Sequence, residues 1–170
     1  ERLTPSQSFH GKAKAKLADR EAYALTEPGD VVVIDGGGRG DISAMGGLST
    51  LVAKKYGLAG SIVDCGVRDV SEMRALDYPV WSRGITPITG KFRFEALEVN
   101  GPVVCGDISV SPGDLVVADD TGVVIVPQKS IEEVVRRAIE TSEKEARLIE
   151  AIEEGSSMAE IRKILAPEKW

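Results

Sequence analysis

The sequence is poor in the residues that most often announce a function. Its two cysteines, Cys65 and Cys105, form no close pair motif, so they read as reduced thiols rather than a disulfide framework and point to the cytoplasm. His10 is the only histidine, and it lies near the N terminus, which leaves little basis for imidazole-rich zinc chemistry or a Cys-His nucleophilic pair. Cys65 reads instead as a small buried filler. Aromatic residues make up 5% of the chain, and Tyr78 and Trp81 sit in no basic, aromatic-rich strand motif. They read as core or interface residues rather than base-stacking groups. The longest apolar runs, such as Val31 to Ile34 and Val123 to Val126, have the length of strands and fall far short of a bilayer span. A net charge of −6 argues against direct nucleic-acid binding, which rests on neutralising phosphates with Lys and Arg. No Gly-Lys-Ser/Thr ending completes a phosphate loop, and Asp41 stands where the third glycine of a dinucleotide fingerprint would fall. The chain opens on Glu1 rather than methionine, without a basic-then-apolar leader, as expected of a protein that is processed, trimmed or missing residues before Glu1.

What is present fits one α/β domain over residues 1–170, with a C-terminal helical segment over about 130–166. Alternation from Gly11 to Leu17 predicts a half-exposed strand. Pro28-Gly29-Asp30 is a turn, and Val31 to Ile34 a buried strand ending at Asp35. A glycine loop, Gly36 to Gly47, then leads to a helix running to Tyr56, with Gly57 as its terminator. Ser61 to Asp64 begins a second strand, Cys65-Gly66 a short connection, and Val67 to Leu76 a brief helix stopped before Pro79. Short β segments follow at Val80 to Ser82, Ala96 to Val99, Val103 to Cys105, Ser109 to Val110, Leu115 to Ala118 and Val123 to Val126. Ser130 with Glu133 reads as a capping box opening the longest helix, which stops at Gly155. Ser157 with Glu160 opens a second, short helix through Leu165. A long, charged amphipathic terminal helix also suits packing on a neighbouring subunit.

The chemistry concentrates at Arg68, Asp69 and Glu72, where a strand gives way to a helix, the ligand-facing end of an α/β unit. The i, i+3 spacing of Asp69 and Glu72 places two carboxylates on one face, suited to oxygen-preferring Mg²⁺ or Mn²⁺. Arg68 adds a planar donor fork for a carboxylate or an enolate oxygen. The same residue types also suit an ordinary surface helix start, where the dipole favours acids. The glycine loop allows backbone amides to approach an anion, and equally allows tight turns and close packing.

These residues match an ordered pattern: Gly47, twenty residues, Arg68-Asp69, two residues, Glu72. With Pro28-Gly29-Asp30-Val31, Asp35-Gly36-Gly37-Gly38, Arg83-Gly84, Thr86-Pro87, Pro112-Gly113-Asp114 and Ala118-Asp119-Asp120, the chain resembles the family of 4-hydroxy-4-methyl-2-oxoglutarate aldolases and the regulator of ribonuclease activity A. The resemblance implies an α/β fold of the swivelling β/β/α sandwich type with a long C-terminal helix, assembled as a homotrimer or homohexamer with sites at subunit boundaries. It implies a cytoplasmic carbon–carbon lyase that releases pyruvate from 4-hydroxy-2-keto acids and also decarboxylates oxaloacetate. It further implies Mg²⁺ or Mn²⁺ on Asp69 with Glu72 in support, Arg68 on the pyruvate portion, and the amides near Gly46, Gly47 and Leu48 on its carboxylate. One branch of the aldolases carries Asp where this chain has Gly47, so that acid's role does not transfer. The resemblance offers Glu145, supplied in trans from the terminal helix of a neighbour, as a replacement. The regulatory branch implies an alternative, a non-enzymatic protein that binds a ribonuclease or another protein.

Overall fold

The computed structural model describes residues 2–5 and 19–164. The strand expected over Gly11 to Leu17, His10, and the end of the last helix at Leu165 lie outside the described residues. The described chain is mixed α/β with a long C-terminal helix and falls into two compact units, Glu1–Ile125 and Val126–Trp170. No helix among the described residues is long and apolar enough to cross a membrane.

The first unit is built on a five-stranded sheet. Its elements are β1 (Arg2–Pro5), α1 (Asp19–Tyr23), β2 (Val31–Met45), α2 (Gly47–Lys55), β3 (Gly60–Val67), α3 (Val70–Ala75), β4 (Val80–Ile85) and β5 (Phe94–Glu98). The strand order is β4-β3-β2-β1-β5, with β1, β2, β3 and β4 paired in parallel and β5 antiparallel to β1. Two-stranded sheets follow, β6 (Val103–Cys105) with β7 (Ile108–Val110), and β8 (Leu115–Ala118) with β9 (Val123–Val126). The second unit holds the 23-residue helix α4 (Ile131–Glu153) and α5 (Met158–Ile164).

The apolar starts of β2 and β3, Val31–Ile34 and Ile62–Val63, are β-branched, as suits strands at the middle of a parallel sheet. All eight residues of β3 are buried. On the helix-covered side, Val32, Ile34 and Val63 pack with Ala53, Leu58, Met73 and Tyr78. Each such fully buried aliphatic side chain contributes about 1.5–3 kcal/mol. Two polar pairs are enclosed there: Ser61 Oγ with the Tyr78 hydroxyl at 2.9 Å, and the Cys65 thiol with the Ile42 carbonyl at 2.8 Å. Burial pushes the Cys65 thiol up to about 11, which fits its role as filler.

The structure corrects the expected boundaries where glycine misleads. The segment Gly36 to Met45 is no loop before a helix, because β2 continues through it. Register jumps from Asp35↔Asp64 to Arg39↔Cys65, then to Ser43↔Gly66 and to Met45↔Val67, so β2 bulges out three times while β3 runs straight. Gly37 and Gly38, at φ 67° and 73°, turn the first bulge. Cys65-Gly66 is likewise strand rather than connection, and α3 starts at Val70 rather than Val67. The β4 and β5 strands cover Val80–Ile85 and Phe94–Glu98 rather than the shorter or shifted pieces expected. The capping box at Ser130 does not form. A 3₁₀ turn over Gln128–Ser130 precedes α4, and the Glu133 carboxylate accepts from Arg136 and Arg137 instead. At the second helix the box does form, with Ser157 N–H donating to Glu160 Oε2 at 2.8 Å.

Gly66 marks the tightest crossing. A β-carbon there would lie 2.6 Å from Thr86 Cγ2, 2.7 Å from the Gly40 carbonyl oxygen and 2.8 Å from that of Ile42. Two of these neighbours are backbone and cannot rotate away. Gly66→Ala is expected to lose about 2–3 kcal/mol of stability by overpacking, read as a lower denaturant midpoint at unchanged slope.

Candidate active site

At the C-terminal ends of β2 and β3, the sequence separates Gly46-Gly47 from Arg68-Asp69-Glu72, and the sheet brings them together. Arg68 N–H donates to the Met45 carbonyl at 3.1 Å, fixing the two strand ends side by side. Asp69 follows in the left-handed conformation, φ 60° and ψ 39°. Such a backbone is uncommon outside glycine and costs about 1 kcal/mol or more. It turns the Asp69 side chain back across the strand ends, where Oδ2 accepts the Gly47 N–H at 3.1 Å. The Glu72 N–H in turn donates to the Asp69 carbonyl at 3.0 Å, opening α3.

Two glycines make the cradle into which these side chains converge. A β-carbon on Gly46 would sit 2.8 Å from Arg68 Nη2 and 2.9 Å from Asp69 Oδ2, and one on Gly47 would overlap the Glu72 carboxylate. Glu72 thus occupies the volume that a side chain at position 47 would need. The structure brings together Arg68, Asp69, Glu72, Gly46 and Gly47, while Leu48 is exposed at the first turn of α2. One expectation changes in detail. The Gly47 amide is already donated to Asp69, so of the amides named for a substrate carboxylate Gly47 is engaged. Glu145 lies exposed on α4, in the second unit.

Arg68 is held more firmly than its sequence position suggests. Its Nη1 donates to Ser43 Oγ at 2.8 Å, and its Nε lies 3.4 Å from Asp69 Oδ2. Both members of that ion pair are more than a third exposed, so solvent screens it and its role is orientation. Nη2 is left beside Gly46 as the donor pointing at the cradle. Ser43 is buried, and its backbone is pinned at both ends, N–H to the Ile88 carbonyl and carbonyl to the Gly90 N–H, each 2.8 Å. Sequence reasoning missed Ser43. Its only signal was a polar residue in an otherwise small, apolar stretch before Gly46, which is too weak to assign a role.

The carboxylates of Asp69 and Glu72 are hard oxygen donors, the kind Mg²⁺ takes singly or in pairs while keeping water in its other positions. Among the described residues no group of three or more His, Cys, Asp or Glu is placed to hold a metal ion alone. The site therefore fits a hydrated divalent ion on two carboxylates, and does not fit a protein-caged one.

Comparison with known proteins supplies context for this geometry. Residues 6–125 match the family model described as RraA-like, Aldolase/RraA. A Halalkalibacterium halodurans protein named "Putative 4-hydroxy-4-methyl-2-oxoglutarate aldolase" is 34% identical over 134 residues, 79% of this chain and 63% of its own length. The crystal structure of an uncharacterized protein from Pseudomonas syringae pv. tomato superposes with a TM-score of 0.83 at 31% identity, covering 95% of this chain and 71% of that one. Streptomyces coelicolor RraAS2, described as an unusual member of the RNase ES inhibitor RraA protein family, gives a TM-score of 0.74 at 30% identity, covering 85% and 70%. The chain thus spans less than two thirds of the length of the Halalkalibacterium halodurans relative.

The overlap between positions 47 and 72 makes a direct test. Gly47→Ala is expected to push the exposed Glu72 carboxylate out of the cradle at little cost in stability, and so to weaken Mg²⁺ binding as Glu72→Ala does, with no further loss when the two are combined. Additive effects of the two substitutions would show that the carboxylate does not fill that space.

Proposed function

This chain belongs to the RraA-like family, and we propose that it is a divalent-metal-dependent carbon–carbon lyase. Its substrates are 4-hydroxy-2-keto acids of the 4-hydroxy-4-methyl-2-oxoglutarate type, cleaved to pyruvate, and the same site decarboxylates oxaloacetate. The observation that carries this reading is the convergence of Arg68, Asp69 and Glu72 on the Gly46-Gly47 cradle, with Asp69 held in a costly backbone conformation. An arginine and two carboxylates converging on a glycine cradle at the ends of parallel strands is the arrangement a functional site would need.

A divalent cation on Asp69, with Glu72 alongside, would supply Lewis-acid polarisation of the keto acid's carbonyl. Arg68 presents Nη2 toward the oxygen on which negative charge develops, and Ser43 keeps that nitrogen aimed by holding Nη1. The Leu48 amide, in the first turn of α2, serves the substrate carboxylate. In the cleavage, the C4 hydroxyl gives up its proton and the C3–C4 bond breaks. The electron pair passes into the pyruvate enolate, which is then protonated at C3. Oxaloacetate reaches the same enolate by losing CO₂. Gly47 offers no acid for the proton, and we assign that role to Glu145 of the partner subunit in a homotrimer or homohexamer. The exposure of Ile139, Ile149 and Ile152 on α4, each above 50%, supports an assembly that covers them.

A second reading, a non-enzymatic regulator that binds a ribonuclease, draws on the description of Streptomyces coelicolor RraAS2. A regulator needs a surface but has no physical need for Asp69 in a left-handed turn beside Arg68.

Pyruvate formation from a panel of 2-keto acids is expected to stop with EDTA and return with Mg²⁺ or Mn²⁺, and full turnover by metal-free protein would overturn the reading. Arg68→Lys is expected to lower kcat/KM by at least about tenfold, since a point charge cannot keep one nitrogen on Ser43 and another on the substrate. For the shared site, inactive Asp69→Ala and Glu145→Ala proteins should regain activity on subunit exchange. A fully active Glu145→Ala protein would remove that residue from its role.

A further inference from the structure

The first unit contains a cavity of about 300 Å³ that shares no residue with the Arg68 site. One wall is a single row across the sheet, Val33 on β2, Ile62 on β3 and Trp81 on β4, which are register neighbours. Val123 and Ile125 of β9 line it as well. Trp81 is fixed in place, its indole N–H donating to the Asp119 carbonyl at 2.8 Å in the turn before β9. Such a volume with apolar walls is at the small end of ligand-binding cavities.

The polar end is built around Arg83. Its Nε donates to Asp64 Oδ1 at 2.5 Å, and the Asp64 side chain is 8% exposed. Neither terminal guanidinium nitrogen makes a hydrogen bond to a described residue. Gly106, at φ 58°, lies beside Nη2, where a β-carbon would come within 3.4 Å of it, so the absence of a side chain there leaves that edge open. Asp35, the register partner of Asp64, is already engaged by the amides of Gly37 at 3.0 Å and Val104 at 3.1 Å. The single positive charge of Arg83 is already met by Asp64, and Asp107 also acts on it, so at most a singly charged anion is accommodated, which disfavours phosphate dianions and dicarboxylates. Burial pushes the Cys105 thiol up to about 11, so it lines the cavity as a neutral group and offers no nucleophile.

We propose that this cavity binds a small monocarboxylate, with a branched aliphatic or aromatic body on the Val33–Ile62–Trp81 row and the carboxylate on the free edge of Arg83. Arg83 then bridges two carboxylates, that of Asp64 through Nε and that of the ligand through its terminal nitrogens. The binding is independent of the lyase reading, because Asp69 and Glu72 take no part in it.

The test uses 3-methylbutanoate, which does not absorb where tryptophan is excited, and the Trp170→Phe chain, in which Trp81 is the remaining tryptophan. A saturable change in Trp81 fluorescence is expected, unaffected by Asp69→Ala. The neutral isostere 3-methylbutanamide should bind at least tenfold more weakly. Arg83→Gln should weaken 3-methylbutanoate by a similar factor, although it also strips Asp64 of its cation and can unfold the protein. Val123→Phe, at a partly exposed wall position, supplies the second variant, and it should abolish the response with the unfolding midpoint kept. The proposal fails if Trp81 shows no saturable response, if the folded Val123→Phe protein binds equally well, or if the amide matches the acid.

Discussion

The contact between the Asp69 carboxylate and the Gly47 N–H, 22 positions apart, is the constraint from which the rest of the candidate site follows. It ties the first turn of α2 to the junction between β3 and α3, and so joins the two strand-to-helix turns into one surface. The contact requires Asp69 to reverse direction as β3 ends, which accounts for its left-handed backbone. With Asp69 turned, Arg68 and Glu72 lie in the space over Gly46 and Gly47. A side chain at either glycine would close that space. Geometry at five residues therefore rests on one hydrogen bond, one strained residue and two missing β-carbons.

Support for this arrangement comes from the bulged half of β2. Between Asp35 and Met45 that strand passes ten residues while β3 passes three, from Asp64 to Val67. The surplus is folded into three excursions. The second delivers Ser43 into the interior, where the segment from Thr86 to Gly90 clamps its backbone and its hydroxyl receives Arg68. An evenly paired strand would have alternated its side chains strictly and could not have delivered a hydroxyl to that point. The irregularity is thus the means by which a rigid sheet holds a guanidinium at a chosen angle.

The two cavity-facing systems of the first unit share one physical logic. In each, an arginine is steadied by an aspartate, Arg68 by its chain neighbour Asp69 at the start of α3 and Arg83 by Asp64 on the adjacent strand. In each, a glycine leaves a terminal nitrogen uncovered. They differ in burial. The Asp64 side chain is nearly enclosed, while Asp69 is open to solvent and able to meet a hydrated ion.

Much of this was legible in the sequence. Period and composition determined the parallel β-branched strands at Val31 and Ser61, the helix ending at Gly57, the hairpin segments after Val103 and the long terminal helix, because these depend on local propensity and the burial of alternate residues. The spacing of Gly47, Arg68, Asp69 and Glu72 singled out residues that the fold brings together, because a strand-to-helix junction is a local event. Tertiary structure alone decided that the glycine run belongs to a strand, since its register is set by β3 and not by its own residues. It alone decided that Ser43 orients Arg68, that the Gly47 amide serves Asp69, and that Glu72 fills the space above Gly47. Each of these depends on atoms brought together from positions 22 to 25 residues apart, a separation that no local pattern encodes.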